Sequence, residues 1–99
     1  LGLAYFSIGK YNKAIREYEE SLKVLKKAVL INPTSGKTHN LLGIAYLSLK
    51  RYDDAINEFN EEIEINPQGF RPHKHLVTIY YELGKYNEAI SALKKSGFD

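Results

Sequence analysis

The sequence lacks cysteine, methionine and tryptophan entirely, and only three of its 99 residues are proline. Without cysteine there can be no disulfide, no thiolate nucleophile and no cysteine-based zinc site. Uninterrupted apolar runs stop at four residues, far short of the roughly 20 that a membrane-spanning helix needs. We therefore expect a soluble chain with no membrane partner and take the cytoplasm as its default compartment. An upstream targeting segment stays open, since the chain starts at Leu1 without Met.

The sequence also has no marked excess of positive or of negative residues. Lys and Arg number 14 against 12 Asp and Glu, which leaves a net charge of +2. Nucleic-acid binding relies on a basic field that this balance does not provide. The apolar share of 43% and the charged share of 26% are ordinary for a folded protein. We expect a globular chain without a nucleic-acid partner.

No group of residues has the spacing of a catalytic, metal or cofactor site. His73 and His75 are two residues apart on an expected helix and point in nearly opposite directions, while His39 belongs to another unit. The neighbouring acids Glu61 and Glu62 are typical of a solvated helix surface. The sequence therefore predicts a protein that is not an enzyme and holds no metal or cofactor.

What the sequence does have is an internal repeat. Five residues recur 34 positions later in the chain, and the same pattern appears 41 positions earlier. The recurring residues are Leu42, Tyr46, Tyr52, Ala55 and Ile56, then Leu76, Tyr80, Tyr86, Ala89 and Ile90, and upstream Leu1, Tyr5, Tyr11, Ala14 and Ile15. A period of this length is typical of helical-repeat proteins. The first unit is seven residues longer than the second.

Each unit has the pattern of two helices joined by a short turn. Gly9 and Gly84 stand where the chain must leave the first helix, and glycine adopts the left-handed conformation that such an ending requires. Pro33 and Pro67 end the second helices, because the residue before proline is disfavoured in a helix. We expect about six helices, with the second helix of each unit capped by a side chain of Asn12, Asp53 or Asn87.

The stretch from Leu42 to Pro67 resembles the tetratricopeptide repeat. The family's signature has Leu-Gly, Tyr, Ala, Phe and Pro where this chain has Leu42-Gly43, Tyr46, Ala55, Phe59 and Pro67. The chain departs from the signature at His39, Glu62 and Val77. The resemblance implies an all-α, right-handed superhelix of helix pairs. We expect a single domain over residues 1–99, with repeats at 1–33, 34–67 and 68–99.

The resemblance also implies a concave groove, lined by the first helices, that holds a peptide or helix of a partner protein. The positions left free by the signature residues are Leu3, Phe6, Lys37, Asn40, Ile44, Leu47, Arg71, Lys74, Thr78 and Tyr81. They combine apolar walls with a basic rim, which favours an acidic partner segment. The alternative is that the apolar members only complete the core while the basic ones are solvated.

The lengthened second helix of the first unit carries an apolar seam. Tyr18, Leu22, Leu25 and Val29 alternate spacings of four and three, which is a heptad pattern. The following helix shows no matching lengthening, so three arrangements are open. The next repeat covers the seam, a second copy pairs with it or exchanges a helix over residues 11–31, or flanking sequence covers it. The second arrangement would make the chain a self-assembling structural unit rather than an adaptor.

Overall fold

Five helices and no strand make up the backbone of residues 2–97, and side chains are described for residues 9–97 in this computed structural model. In chain order they are α1 (Gly2–Ile31), α2 (Gly36–Ser48), α3 (Tyr52–Ile65), α4 (Arg71–Glu82) and α5 (Tyr86–Lys95). Consecutive helices pack side by side. The expected all-α solenoid is confirmed, with a helix pair in the second repeat and another in the third. No helix within residues 2–97 is both long enough and apolar enough to cross a membrane.

The second and third repeats turn between their helices in the same way. Lys50 and Gly84 both adopt positive φ angles, of 60° and 73°. The next amide in each turn, from Arg51 or Lys85, reaches back 2.8 Å to the carbonyl of Tyr46 or Tyr80. The 34-residue period is therefore reproduced in the backbone geometry of the turns.

The first repeat does not follow this pattern. Here the sequence predicts two helices with a turn at Gly9, whereas α1 runs without a break from Gly2 to Ile31. Among the described glycines, Gly84 and Gly97 have positive φ angles. Gly9 does not, and its backbone stays helical. The expected count of six helices is wrong because local hydrogen bonding continues the helix through this position.

The expected side-chain caps are also wrong. Arg51 and Lys85 occupy the cap positions of α3 and α5, and neither makes a side-chain cap hydrogen bond. Asn12 lies inside α1. The N-terminus of α2 does have a side-chain cap: the amide of Thr38 donates to the Ser35 hydroxyl over 3.2 Å.

The core is centred on Phe59 of α3, whose side chain is fully buried. A Cβ atom at Gly43 of α2 would lie only 2.6 Å from the Phe59 ring, so the absence of a side chain there lets the two helices approach closely. On the α4 side, the His75 ring stacks on Phe59 with 4.8 Å between centroids. Around them lie the other buried members of the cluster, Leu22, Leu42, Ala45, Tyr46, Ala55, Leu76, Ile79 and Ala92.

Candidate functional site

The predicted groove positions fall on one face of α2 and one face of α4. Lys37, Asn40, Ile44 and Leu47 follow helical spacing along α2, and Arg71, Lys74, Thr78 and Tyr81 repeat it along α4. We call these eight positions together the α2/α4 face. The two remaining predicted positions, Leu3 and Phe6, lie outside the residues whose side chains are described.

Two members of the α2/α4 face are engaged by Glu62 of α3. The buried Asn40 amide donates to one carboxylate oxygen of Glu62 over 2.9 Å. The Arg71 guanidinium donates to the other oxygen over 2.8 and 3.3 Å. Glu62 itself is only 5% exposed, so the expectation of a solvated surface acid is wrong at this position. This carboxylate links three helices, and Arg71 is already paired with a protein carboxylate.

The remaining members of the α2/α4 face are less engaged. Lys37 is exposed on α2, and the Lys74 ammonium lies 4.8 Å from the centre of the Phe70 ring. Tyr81 is 66% exposed, and its ring forms a T-shaped pair with the Tyr86 ring, with 5.7 Å between the centroids. This part of the face therefore offers two cations and, towards the end of α4, an exposed aromatic ring.

An apolar groove of about 550 Å³ opens between α1 and α2. We call it the α1–α2 groove. Its α1 wall includes Tyr18, Val24 and Leu25, and its α2 wall includes Leu41 and Ile44. Val24 is 67% exposed although it is aliphatic. Ile44, a member of the α2/α4 face by sequence, thus faces the side of α2 that borders α1.

Most residues of the heptad seam of α1 pack against the core of the same chain. Leu22 is buried in the core cluster with Leu42 and Tyr46, and Leu25 and Val29 are partly buried against the same cluster. Tyr18 is the seam member left open, at 39% exposure. Neighbouring apolar residues of α1 stay exposed, namely Val24, Leu30 and Ile31.

The histidines differ in electrostatic surroundings. Burial alone would lower the pKa of His39, but its ring nitrogens face Glu58 at 2.9 Å and the Pro33 carbonyl at 2.8 Å, and these contacts raise the pKa above its ordinary value. Burial lowers the pKa of His73, and Lys95 adds to the effect. Burial also lowers the pKa of His75. His39 therefore fixes α2 to α3 as a partner of Glu58, in the place where the family signature often has Trp.

Comparisons with known proteins agree with this architecture. A family model described as tetratricopeptide repeat matches residues 1–68, and a second with the same description matches residues 75–96. No curated protein matches the chain significantly.

Several solved structures are similar to the chain. MamA from MSR-1 is 27% identical with a TM-score of 0.79, over 98% of this chain and 52% of that one. The type III secretion translocator chaperone SycD of Yersinia enterocolitica, in an alternative dimer, is 22% identical with a TM-score of 0.79, over 87% of this chain and 69% of that one. A CopN–Scc3 complex contains a chain that is 21% identical with a TM-score of 0.78, over 87% of this chain and 54% of that one. The chain thus spans about half the length of MamA.

Proposed function

Because the chain belongs to the tetratricopeptide-repeat family, we propose that it is a protein–protein interaction module whose α2/α4 face holds a segment of another protein. The observation that carries the proposal is the arrangement around Glu62. Its carboxylate binds Asn40 of α2 and Arg71 of α4 and so fixes these two helices relative to each other. A fixed pair of helices suits an extended or helical segment.

The chemistry of the open positions favours an acidic segment. Lys37 and Lys74 supply cations, and Tyr81 offers a large exposed ring on the same face of α4 as Lys74. Charge-assisted hydrogen bonds to carboxylates are among the stronger polar contacts that a protein can make. Arg71 contributes less than the sequence alone suggests, since its guanidinium already pairs with Glu62. The relatives named as a chaperone and as members of a complex with another protein support an interaction role.

A peptide-binding measurement tests the proposal. The probes are two fluorescent ten-residue peptides of alternating Leu and Glu or alternating Leu and Lys, followed by anisotropy at low and high salt. We expect the acidic peptide to bind more tightly and to lose affinity with added salt, because exposed charges are screened. The double variant Lys37→Glu with Lys74→Glu should reverse the preference between the two peptides.

The matched control carries the same charge change elsewhere. Lys27 of α1 and Lys94 of α5 are exposed and lie outside the α2/α4 face. The variant Lys27→Glu with Lys94→Glu should keep the wild-type preference. Equal losses of affinity for the acidic peptide in the two double variants would show that net charge alone governs binding. The α2/α4 face would then have no special role. Arg71 is left intact, since a carboxylate there would face Glu62 and disturb the fold.

A further inference from the structure

We propose that the α1–α2 groove receives residues 2–8 of a second copy of this chain, by exchange of the N-terminal helical segment about Gly9. The groove shares Ile44 with the α2/α4 face but has its other described lining residues elsewhere, and the exchange does not rest on the function proposed for that face. It rests on four observations: the position of the groove within the repeat, the sequence of the segment, the continuity of α1, and the two conformations that the sequence around Gly9 adopts in this chain.

The groove lies where the first helix of the first repeat would pack. At an offset of 41 residues, Tyr18 corresponds to Phe59, which is buried against Gly43 of its own repeat. Val24 corresponds in the same way to Ile65, which lies 3.7 Å from the Cβ position of Gly36. In the second repeat α2 covers this wall. In the first repeat the same wall lines an open groove.

The N-terminal segment has the side chains that this position requires. Residues 1–8 read LGLAYFSI, and residues 42–49, which end at the C-cap of α2, read LGIAYLSL. Five of the eight residues are identical and the other three are apolar in both. In α2 the stretch buries Leu42, Ala45 and Tyr46 and brings Gly43 against Phe59. Residues 2–8 thus match a sequence known in this chain to pack on the equivalent wall.

The segment cannot reach the groove of its own chain while α1 is continuous. Position 2 and Tyr18 of the groove wall are 16 residues apart on one helix, which separates them by about 24 Å along its axis. The segment therefore projects beyond the groove. A second copy related by a twofold axis would place its own residues 2–8 in the groove and receive the first copy's segment in return, which closes the assembly as a dimer.

The residues around Gly9 fit a hinge. Gly9-Lys10-Tyr11-Asn12 is identical to Gly84-Lys85-Tyr86-Asn87, and the latter forms a turn in which Gly84 has a φ of 73°. The same four residues thus lie inside a helix in the first repeat, whereas in the third they span the turn and the first two residues of α5. A sequence that supports both conformations is what exchange of a helix between copies requires.

Cross-linking of mixed chains tests the exchange directly, because the chain contains no natural cysteine. Gly2 corresponds to Gly43 and Tyr18 to Phe59, so a Gly2→Cys chain and a Tyr18→Cys chain are refolded together and treated with a short bismaleimide. We expect a cross-linked heterodimer, at about ten times the yield obtained when Lys94→Cys of α5 replaces Tyr18→Cys, since proximity raises the effective concentration.

The chain that carries both Gly2→Cys and Tyr18→Cys decides between one copy and two. A monomer with an internal cross-link would mean that the segment folds back within its own chain, and would overturn the proposal. Absence of cross-linking in both experiments would overturn it as well. Neither result touches the peptide-binding assay, since Lys37 and Lys74 lie outside the α1–α2 groove.

A second pair of variants acts on the hinge. Tyr11 corresponds to the first helical residue of α3 and α5, where proline is accepted, but within α1 it is an interior position, where proline breaks a helix. Tyr11→Pro should therefore convert the dimer into a monomer in light scattering, whereas Tyr11→Ala should leave the dimer in place. Equal masses for these two variants, or a monomeric wild type at all concentrations, would refute the exchange.

Discussion

At the scale of single residues, two glycines of α2 differ in how much space their neighbours leave for a side chain. Gly43 and Gly36 both lie in α2, yet a Cβ at Gly43 would lie 2.6 Å from the Phe59 ring, whereas at Gly36 its nearest neighbours are at 3.7 Å. The first distance is a steric overlap and the second is an ordinary contact. The family signature predicts the close approach at Gly43, because a glycine in a packed helix indicates that a neighbouring side chain lies near its backbone.

We predict opposite results for alanine at these two positions. Gly43→Ala should lower the free energy of unfolding by about 1–3 kcal/mol, because the Phe59 ring must move in a packed core. Gly36→Ala should be neutral or raise it by up to about 1 kcal/mol through helix propensity. Urea unfolding followed by circular dichroism measures both. Equal stabilities of the two variants would mean that α2 and α3 are not in close contact.

At the scale of helices, the bonds made by Glu62 could not be predicted from the sequence. Its partners Asn40 and Arg71 are 22 and nine residues away in the chain, so only the stacking of α2, α3 and α4 brings them together. Read locally, Glu61-Glu62 is an acidic pair on a helix surface. The structure separates the two residues, with Glu61 exposed and Glu62 buried.

Removal of the Glu62 carboxylate should therefore weaken the stack. Glu62→Ala leaves the buried Asn40 amide without its acceptor, and we expect a loss of about 1–3 kcal/mol in the free energy of unfolding. Arg71→Ala should also destabilise the fold, by about 1–3 kcal/mol, because it leaves the buried Glu62 carboxylate without its charged partner. Glu61→Ala is the control and should stay within about 0.5 kcal/mol of wild type. A ranking in which Glu61→Ala costs most would contradict the described network.

At the scale of the whole molecule, the sequence predicts the repeat architecture well and the first repeat poorly. The period, the helix pairs of the second and third repeats and the helix ends before Pro33 and Pro67 all follow from local pattern. The turn at Gly9 does not, even though its residues match those of a true turn in the third repeat. Local pattern cannot decide between a turn and a continuous helix there, because the same four residues occur in both conformations within this chain.

The most direct test of this account is a distance measured along the first repeat. Spin labels on cysteines at positions 3 and 27, in a chain diluted with unlabelled protein, report the separation within one copy by pulsed dipolar spectroscopy. A continuous α1 predicts about 36 Å between the two backbone sites, from 24 residues at 1.5 Å each. A turn at Gly9 would bring them to about 20 Å, with the two helices packed side by side. The longer distance is the result we predict, and the shorter one would contradict the open first repeat on which the exchange depends.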